Sequence, residues 1–252
     1  MAHINRVLSP IGFGAFKIGR NQGAKYPAAY TLPDPAAVDS LLNGVLDLGI
    51  NYIDTAPAYG FSEERIGQTI ADRKDEFFLS TKVGETFRDG VSAYDFSERG
   101  VRASLDASRT RLRVERLDLV FIHASRDDLR VIQETDVVGT LCRLRDEGVI
   151  GAIGLSGYTE SAFREALDWA DAIMVEYHQD DRSLEPMITE AARRGIAVMI
   201  KKALASGRLR PERALPFVFA NPAVTSVVVG SLDLDHLREN LRLAQAARAS
   251  TR

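Results

Sequence analysis

The chain has 252 residues, of which 45% are hydrophobic and 27% charged, with a formal net charge of −3. That is a globular composition with material for a large core. It argues against a nucleic-acid or membrane-surface partner, which a strongly basic face would mark. No apolar run reaches the roughly 18 residues of a spanning helix and no signal-peptide apolar region opens the chain, so a cytoplasmic protein is expected. Cys142 is the single cysteine. It excludes an internal disulfide, and its helical neighbours Val138, Leu141 and Leu144 predict a buried, inert thiol.

Eight short apolar runs recur, at residues 11–15, 50–54, 77–81, 117–122, 149–156, 172–175, 196–200 and 225–229. They lack period-two alternation, as expected of strands covered on both faces. Amphipathic segments separate them. The first has Asp34 as N-cap and Pro35 at the first position. Val38, Leu41, Leu42, Val45 and Leu46 follow at helical spacing, and Gly49 ends it. A short helix near residues 62–71 comes next. A third starts at Ser97, with Val101, Leu105 and Leu112 on one face. A fourth carries Val137, Leu141 and Leu144 and stops at Gly148. Later segments span residues 160–170, 184–194 and 211–219. The last is capped by Asp233 and shows Leu234, Leu237, Leu241 and Ala244 on one face.

Strict alternation of strand and helix predicts the α/β class: a (β/α)8 TIM barrel in which residues 1–252 form one domain. No linker and no fixed-period repeat divides the chain. Residues 16–33 and 84–96 are long for barrel connections, and long loops in compact domains are often functional. The second is expected over the barrel mouth, with Phe87, Tyr94 and Phe96 toward a substrate. Phe16, Tyr26, Tyr30, Phe87 and Tyr94 would either make an apolar or aromatic pocket or pack within the loops themselves, and the connection at residues 124–130 also shapes the pocket.

In such a barrel the reactive groups lie where strands end. The second run ends at Asp54, with Tyr59 just beyond; the third ends at Lys82; the fourth ends at His123. Each has a plain structural alternative: a turn-capping carboxylate, a packing aromatic, a rim charge, a hydrogen-bonded core histidine. Four of them at one end of three neighbouring strands suit acid catalysis on a carbonyl. A phenol of pKa about 10 donates a proton poorly at neutral pH, but a nearby cation stabilises the phenolate. Lys82 supplies that charge, Asp54 holds it, and His123 directs the substrate oxygen. No side chain delivers a hydride, so the reaction needs a nicotinamide cofactor.

Asp54-Thr55-Ala56-Pro57-Ala58-Tyr59-Gly60, Ser80-Thr81-Lys82 and Phe121-Ile122-His123 resemble the aldo/keto reductases. The resemblance runs from Ile11-Gly12-Phe13-Gly14 to Ser231 and Glu239-Asn240. It implies a barrel that binds NADPH, with NADH possible, without a Rossmann fold. It also implies reduction of aldehydes or ketones to alcohols, or the reverse. Tyr59 would be the general acid/base, tuned by Lys82 and Asp54, with His123 orienting the carbonyl. Gly14, Ala15, Phe16 and Asp54 would border the cofactor, and Ser156 would hold its carboxamide. Three positions depart from the family pattern. Gly157 stands where Asn is common, Met174 where Gln is frequent, and Lys201 where an aromatic often stacks. Leu204, Ser206, Gly207 and Leu209 belong to a pyrophosphate-loop resemblance, whose backbone N–H groups suit an anion. Gly230, Ser231, His236, Glu239 and Asn240 belong to an adenosine-phosphate segment. Gly230 and His236 replace the Lys and Arg of the NADP-selective pattern, so a modest preference for NADPH is expected. Arg238 is either a phosphate ligand or a solvated helix charge.

The expected partner is a small-molecule carbonyl compound; substrate and oligomeric state stay open. The departures around the nicotinamide leave a second reading, a nucleotide-binding redox sensor with little turnover. A metal hydrolase with Asp54, His123, Glu176 and His178 as ligands is the third. It is disfavoured because the chain has only four histidines, and His3 and His236 lie at a terminus and on the last helix.

Overall fold

Apolar runs too short for helices, separated by amphipathic segments, bury both faces when the strands pair in parallel and the helices coat the outside. The computed structural model, which describes residues 4, 6–23 and 29–251, has this arrangement. Its barrel strands are β1 (Ile11–Gly14), β2 (Tyr52–Asp54), β3 (Phe78–Val83), β4 (Leu117–His123), β5 (Ile150–Ser156), β6 (Ala172–Glu176), β7 (Ala197–Lys201) and β8 (Ser226–Val229). They pair in chain order, and β8 closes the ring against β1. The expected (β/α)8 barrel is therefore present, with strand ends differing by a residue or two.

Helix starts follow their caps. The Asp34 carboxylate accepts from the Ala37 N–H, Ser97 Oγ from the Gly100 N–H, and Asp233 from the N–H groups of Asp235 and His236. Each satisfies backbone donors that the first helical turn leaves without partners.

Alternate strand residues point to opposite faces. Ile53, Leu79, Val120, Ile122, Ile153, Leu155, Ile173 and Val198 pack outward against helices in the larger core. Tyr52, Phe78, Leu119, Phe121, Ala152, Met174 and Met199 fill the barrel, with Leu8 packed among them.

Four expectations are corrected. Residues 84–96 are not an irregular loop. They contain an antiparallel hairpin, Glu85–Arg88 against Val91–Tyr94, turned by Asp89 and Gly90 at φ 51° and 85°. Left-handed φ at both central residues is the turn that matches strand twist, and Asp-Gly is a preferred pair for it. Phe96 faces the core, not a substrate, because its ring packs on Gly84, where an added Cβ would lie 2.0 Å away. The connections at 16–33 and 124–130 are partly helical, at Phe16–Gly19 and from Asp128 onward in Asp128–Glu134. Cys142 is half-buried at the core edge, not fully buried. His3 and Tyr26 lie outside the described residues.

Gly84 has φ +102° and no room for a side chain. Gly84→Ala should cost at least about 2 kcal/mol through backbone strain and displacement of Phe96. Urea unfolding of the two proteins checks this.

Candidate active site

The inward parity of the strands places the site. Along β2, Tyr52 fills the barrel and Asp54 follows at its mouth. Along β3, Phe78 is followed by Ser80 and Lys82; along β4, Leu119 and Phe121 by His123. Along β5, Ala152 and Gly154 precede Ser156, and along β7, Met199 precedes Lys201. Register locks these together: Gly14 pairs with Asp54, Asp54 with Ser80, His123 with Ser156, and Ser156 with Met174.

Asp54 and Lys82 are 3% and 1% exposed. Lys82 Nζ donates to Asp54 Oδ1 at 2.8 Å, to Oδ2 at 2.7 Å and to the Thr55 carbonyl at 2.7 Å. An ammonium has three donors, so all are used. Ser80 Oγ also donates to Asp54 Oδ1, at 2.7 Å. Burial pushes the Lys82 pKa down, and Asp54 opposes the shift. Lys82 Nζ stands 4.8 Å from the centre of the Tyr59 ring. That ring meets Phe16 edge-on at 5.1 Å and His123 edge-on at 6.1 Å.

His123 Nδ1 is 2.9 Å from Glu85 Oε2 of the hairpin. The contact is close but bent, and Nδ1 has no well-aligned acceptor. Catalytic hydrogen bonds commonly tighten only with substrate bound. Burial lowers the His123 pKa, Glu85 opposes that, and Lys82 and Lys201 add to it; the ring is neutral at pH 7. Burial alone would raise the Glu85 carboxyl, but the His123 ring and the Ser92 hydroxyl hold it below its usual value.

These groups open on a cavity of about 440 Å³. Gly14, Phe16, Asp54, Tyr59, His123, Ser156, Met174, Lys201, Ser206 and Gly230 of the expected site line it. Lys82 lies beneath, behind Asp54. Ala15, Gly157, Leu204, Gly207, Leu209, Ser231, His236, Glu239 and Asn240 do not line it. Arg238 pairs with Asp235 and Glu239 with Arg242, while His236 is 75% exposed. Ser231 Oγ bonds within its own turn, to the carbonyl and N–H of Asp233.

The residues fit a nicotinamide nucleotide in two respects. Lys202, Ala205, Ser206 and Gly207 all have φ between 45° and 91°. Such left-handed residues turn backbone N–H groups into a concave anion cradle, and Lys202 and Ser206 line the cavity. Where the family places carboxamide ligands, Ser156 Oγ is joined by Lys201, whose Nζ donates to it at 3.1 Å and to the Gly157 carbonyl at 2.9 Å. The stacking aromatic is replaced by Lys201, and the Tyr158 ring lies 4.3 Å from its Nζ.

Sequence reading missed Arg20, Glu85, Tyr158 and Lys202, all of which line the cavity. Asp89-Gly90 was a hairpin signature that would have put Glu85 on a strand. Tyr158 lies two residues past Ser156. Of Phe87, Tyr94 and Phe96, Tyr94 alone reaches the cavity; Phe87 lies under Arg20. His178 is buried behind the site, 3.7 Å from Glu176. Among the described residues no group of three or more His, Cys, Asp or Glu is placed to hold a metal ion, and no helix is long and apolar enough to cross a membrane.

A closed parallel barrel with a polar mouth of this kind belongs to the (β/α)8-barrel enzymes. The aldo/keto reductase family model matches residues 10–216, and the chain belongs to that family. It is thus an NAD(P)H-dependent oxidoreductase. It is similar to a putative aldo-keto reductase from Pseudomonas aeruginosa, with 39% identity and a TM-score of 0.89 over 96% of this chain and 92% of that one. The uncharacterized oxidoreductase YqkF of Bacillus subtilis is 25% identical over 96% of this chain and 89% of that protein. The L-galactose dehydrogenase of Arabidopsis thaliana is 27% identical over 93% and 83%.

Burial, then Lys202 and Lys82, push the Lys201 pKa down to about 7. The unfolded chain therefore binds one more proton than the folded one between about pH 7 and the ordinary lysine value. Stability from this group rises with pH across that window. Lys201→Met removes the effect, so wild type should gain on the variant by at most about 1.4 kcal/mol per pH unit above 7. Urea midpoints at pH 7, 8 and 9 test the slope.

Proposed function

We propose that the protein interconverts a small aldehyde or ketone with its alcohol, with Tyr59 as general acid/base and NADPH or NADH as the hydride carrier. The observation that carries this reading is the Asp54–Lys82 ion pair buried beneath the Tyr59 ring, with His123 beside it. The bound nicotinamide supplies or accepts the hydride. The protein moves the proton. In reduction Tyr59 gives its phenolic proton to the developing alkoxide, and in oxidation the phenolate takes it back. Because every Lys82 donor is committed, Lys82 acts on the phenol through its field and not as a hydrogen-bond donor. Short range and low exposure keep that field strong. Asp54 keeps the ammonium charged and immobile. His123, neutral, meets the same substrate oxygen and leaves the positive charge to Lys82.

A role as a redox sensor with little turnover draws on one observation: Lys201 already occupies the acceptors expected to hold the carboxamide. Tight NADPH binding without oxidation across a panel of reactive aldehydes would favour it.

Tyr59→Phe should lower aldehyde reduction by about 10²–10⁴-fold, the usual weight of a general acid. NADPH affinity, read by quenching of protein fluorescence, should change little. A variant with the wild-type rate would remove Tyr59 from the mechanism. The adenosine end offers no free Lys or Arg in the family's place, since Gly230 and His236 stand there and Arg238 is paired. Steady-state kcat/KM should accordingly favour NADPH over NADH only modestly; a preference of several hundredfold would contradict this.

A further inference from the structure

Arg20 lies at the C-terminal end of the Phe16–Gly19 helix, half-buried in the cavity wall. Its guanidinium is held by backbone, not by an acid. Nη1 donates to the Ala58 carbonyl at 3.0 Å and Nε to the Gln22 carbonyl at 2.8 Å. The plane rests on the Phe87 ring, its central carbon 3.2 Å from the ring centre. No carboxylate among the described residues lies within ion-pair distance of it. The acid that acts on it most, Glu85, stands close to His123 and accepts from Ser92 Oγ at 2.6 Å.

Among the described residues that line the cavity, Arg20 and Lys201 are basic groups without an acidic ion-pair partner, while Lys202 is neutralised by Glu176; Lys82, beneath the cavity, is neutralised by Asp54. A guanidinium stacked and fixed at two nitrogens has paid its ordering cost before any ligand arrives, and its remaining N–H groups suit a planar anion. Its anchor, the Ala58 carbonyl, adjoins Tyr59. Arg20 and Tyr59 line the same cavity, so one small molecule can meet both.

We propose that Arg20 selects the substrate: a small carbonyl compound, or its alcohol, that carries a carboxylate a few bonds from the reacting carbon. The inference rests on the carbonyl–alcohol reading above and deepens it. Glu85 repels a misplaced carboxylate near His123 and so directs the acid group toward Arg20. Lys201, in its protonated form, adds positive potential to the same cavity.

The test compares matched aldehydes with and without the acid: succinic semialdehyde against butanal, and 4-carboxybenzaldehyde against benzaldehyde, with NADPH. Wild type should favour the acid by tenfold or more in kcat/KM in at least one pair. Arg20→Met should cost the acid at least tenfold, mainly through KM, and the neutral partner under threefold. Arg20→Lys should restore part of the loss, because it keeps the charge and loses the fork. No preference in either pair, or an equal loss on acid and neutral substrates in Arg20→Met, overturns the assignment. Calorimetric binding of succinate and 4-carboxybenzoate to the NADP+-loaded protein gives a readout without turnover. Binding that weakens tenfold in Arg20→Met supports the anion site even if no aldehyde is reduced, in which case the reductase reading alone fails. Absence of binding of both, together with no acid preference, overturns the site itself.

Discussion

Closure of the barrel decides which side chains can meet. Once β8 pairs with β1, each strand has one set of residues facing in and one facing the helices, and neither set can exchange without shifting the register of every neighbour. On six strands the inward set runs from apolar to polar toward the C-terminal end: Tyr52 to Asp54, Phe78 to Lys82, Phe121 to His123, Ala152 to Ser156, Met174 to Glu176, Met199 to Lys201. The lower layers pack as a core. The top layer has no further layer above it, so its polar groups face the cavity or one another. Core and site are two ends of one alternating pattern.

The top layer is crowded with charge, and that crowding sets its chemistry. Burying Lys82 or Asp54 singly would carry a large desolvation cost; together, with Ser80 and the Thr55 carbonyl completing their hydrogen bonds, they share it. Lys82 and Lys201 face one interior and each disfavours the other's charge. His123, beside both, stays neutral despite Glu85. Of the two buried lysines, Lys82 has a committed carboxylate and Lys201 does not, and Lys82 is the one beneath Tyr59.

The sequence made the strands legible because a parallel strand covered on both faces is a short apolar run bounded by turns. It made Asp54, Tyr59, Lys82 and His123 legible because they follow such runs directly. What it hid were residues placed by local turns. Glu85 reaches His123 because Asp89 and Gly90 fold residues 85–94 into a hairpin. Phe96 turns to the core because its direction depends on the bare backbone of Gly84. Arg20 enters the cavity from a one-turn helix too short to show periodicity. Of the adenosine-end positions, His236 and Glu239 fell on exposed helix surface, where Glu239 and the neighbouring Arg238 are satisfied by Arg242 and Asp235, and nothing in their spacing foretold those pairs.

The departures around the carboxamide position form one coupled set. Asp128 is fully buried, and its Oδ2 accepts the N–H groups of Tyr158 at 2.6 Å and Thr159 at 2.9 Å. A Cβ on residue 157 would sit 2.8 Å from that same oxygen, so an Asn there would displace the carboxylate that shapes the turn. Gly157 is the residue this turn accepts, and its carbonyl is left to receive a donor. Lys201 provides one, reaching across to Ser156 and Gly157 together. A bulky aromatic at 201 would lose both bonds, and Gly157 would keep an unpaired carbonyl. Met174, between Ser156 and Met199 in register, offers no competing donor. Changing any one of Asp128, Gly157 or Lys201 alone leaves a partner unsatisfied or a clash. Reverting one position toward the family pattern would therefore cost more than the lost side chain itself.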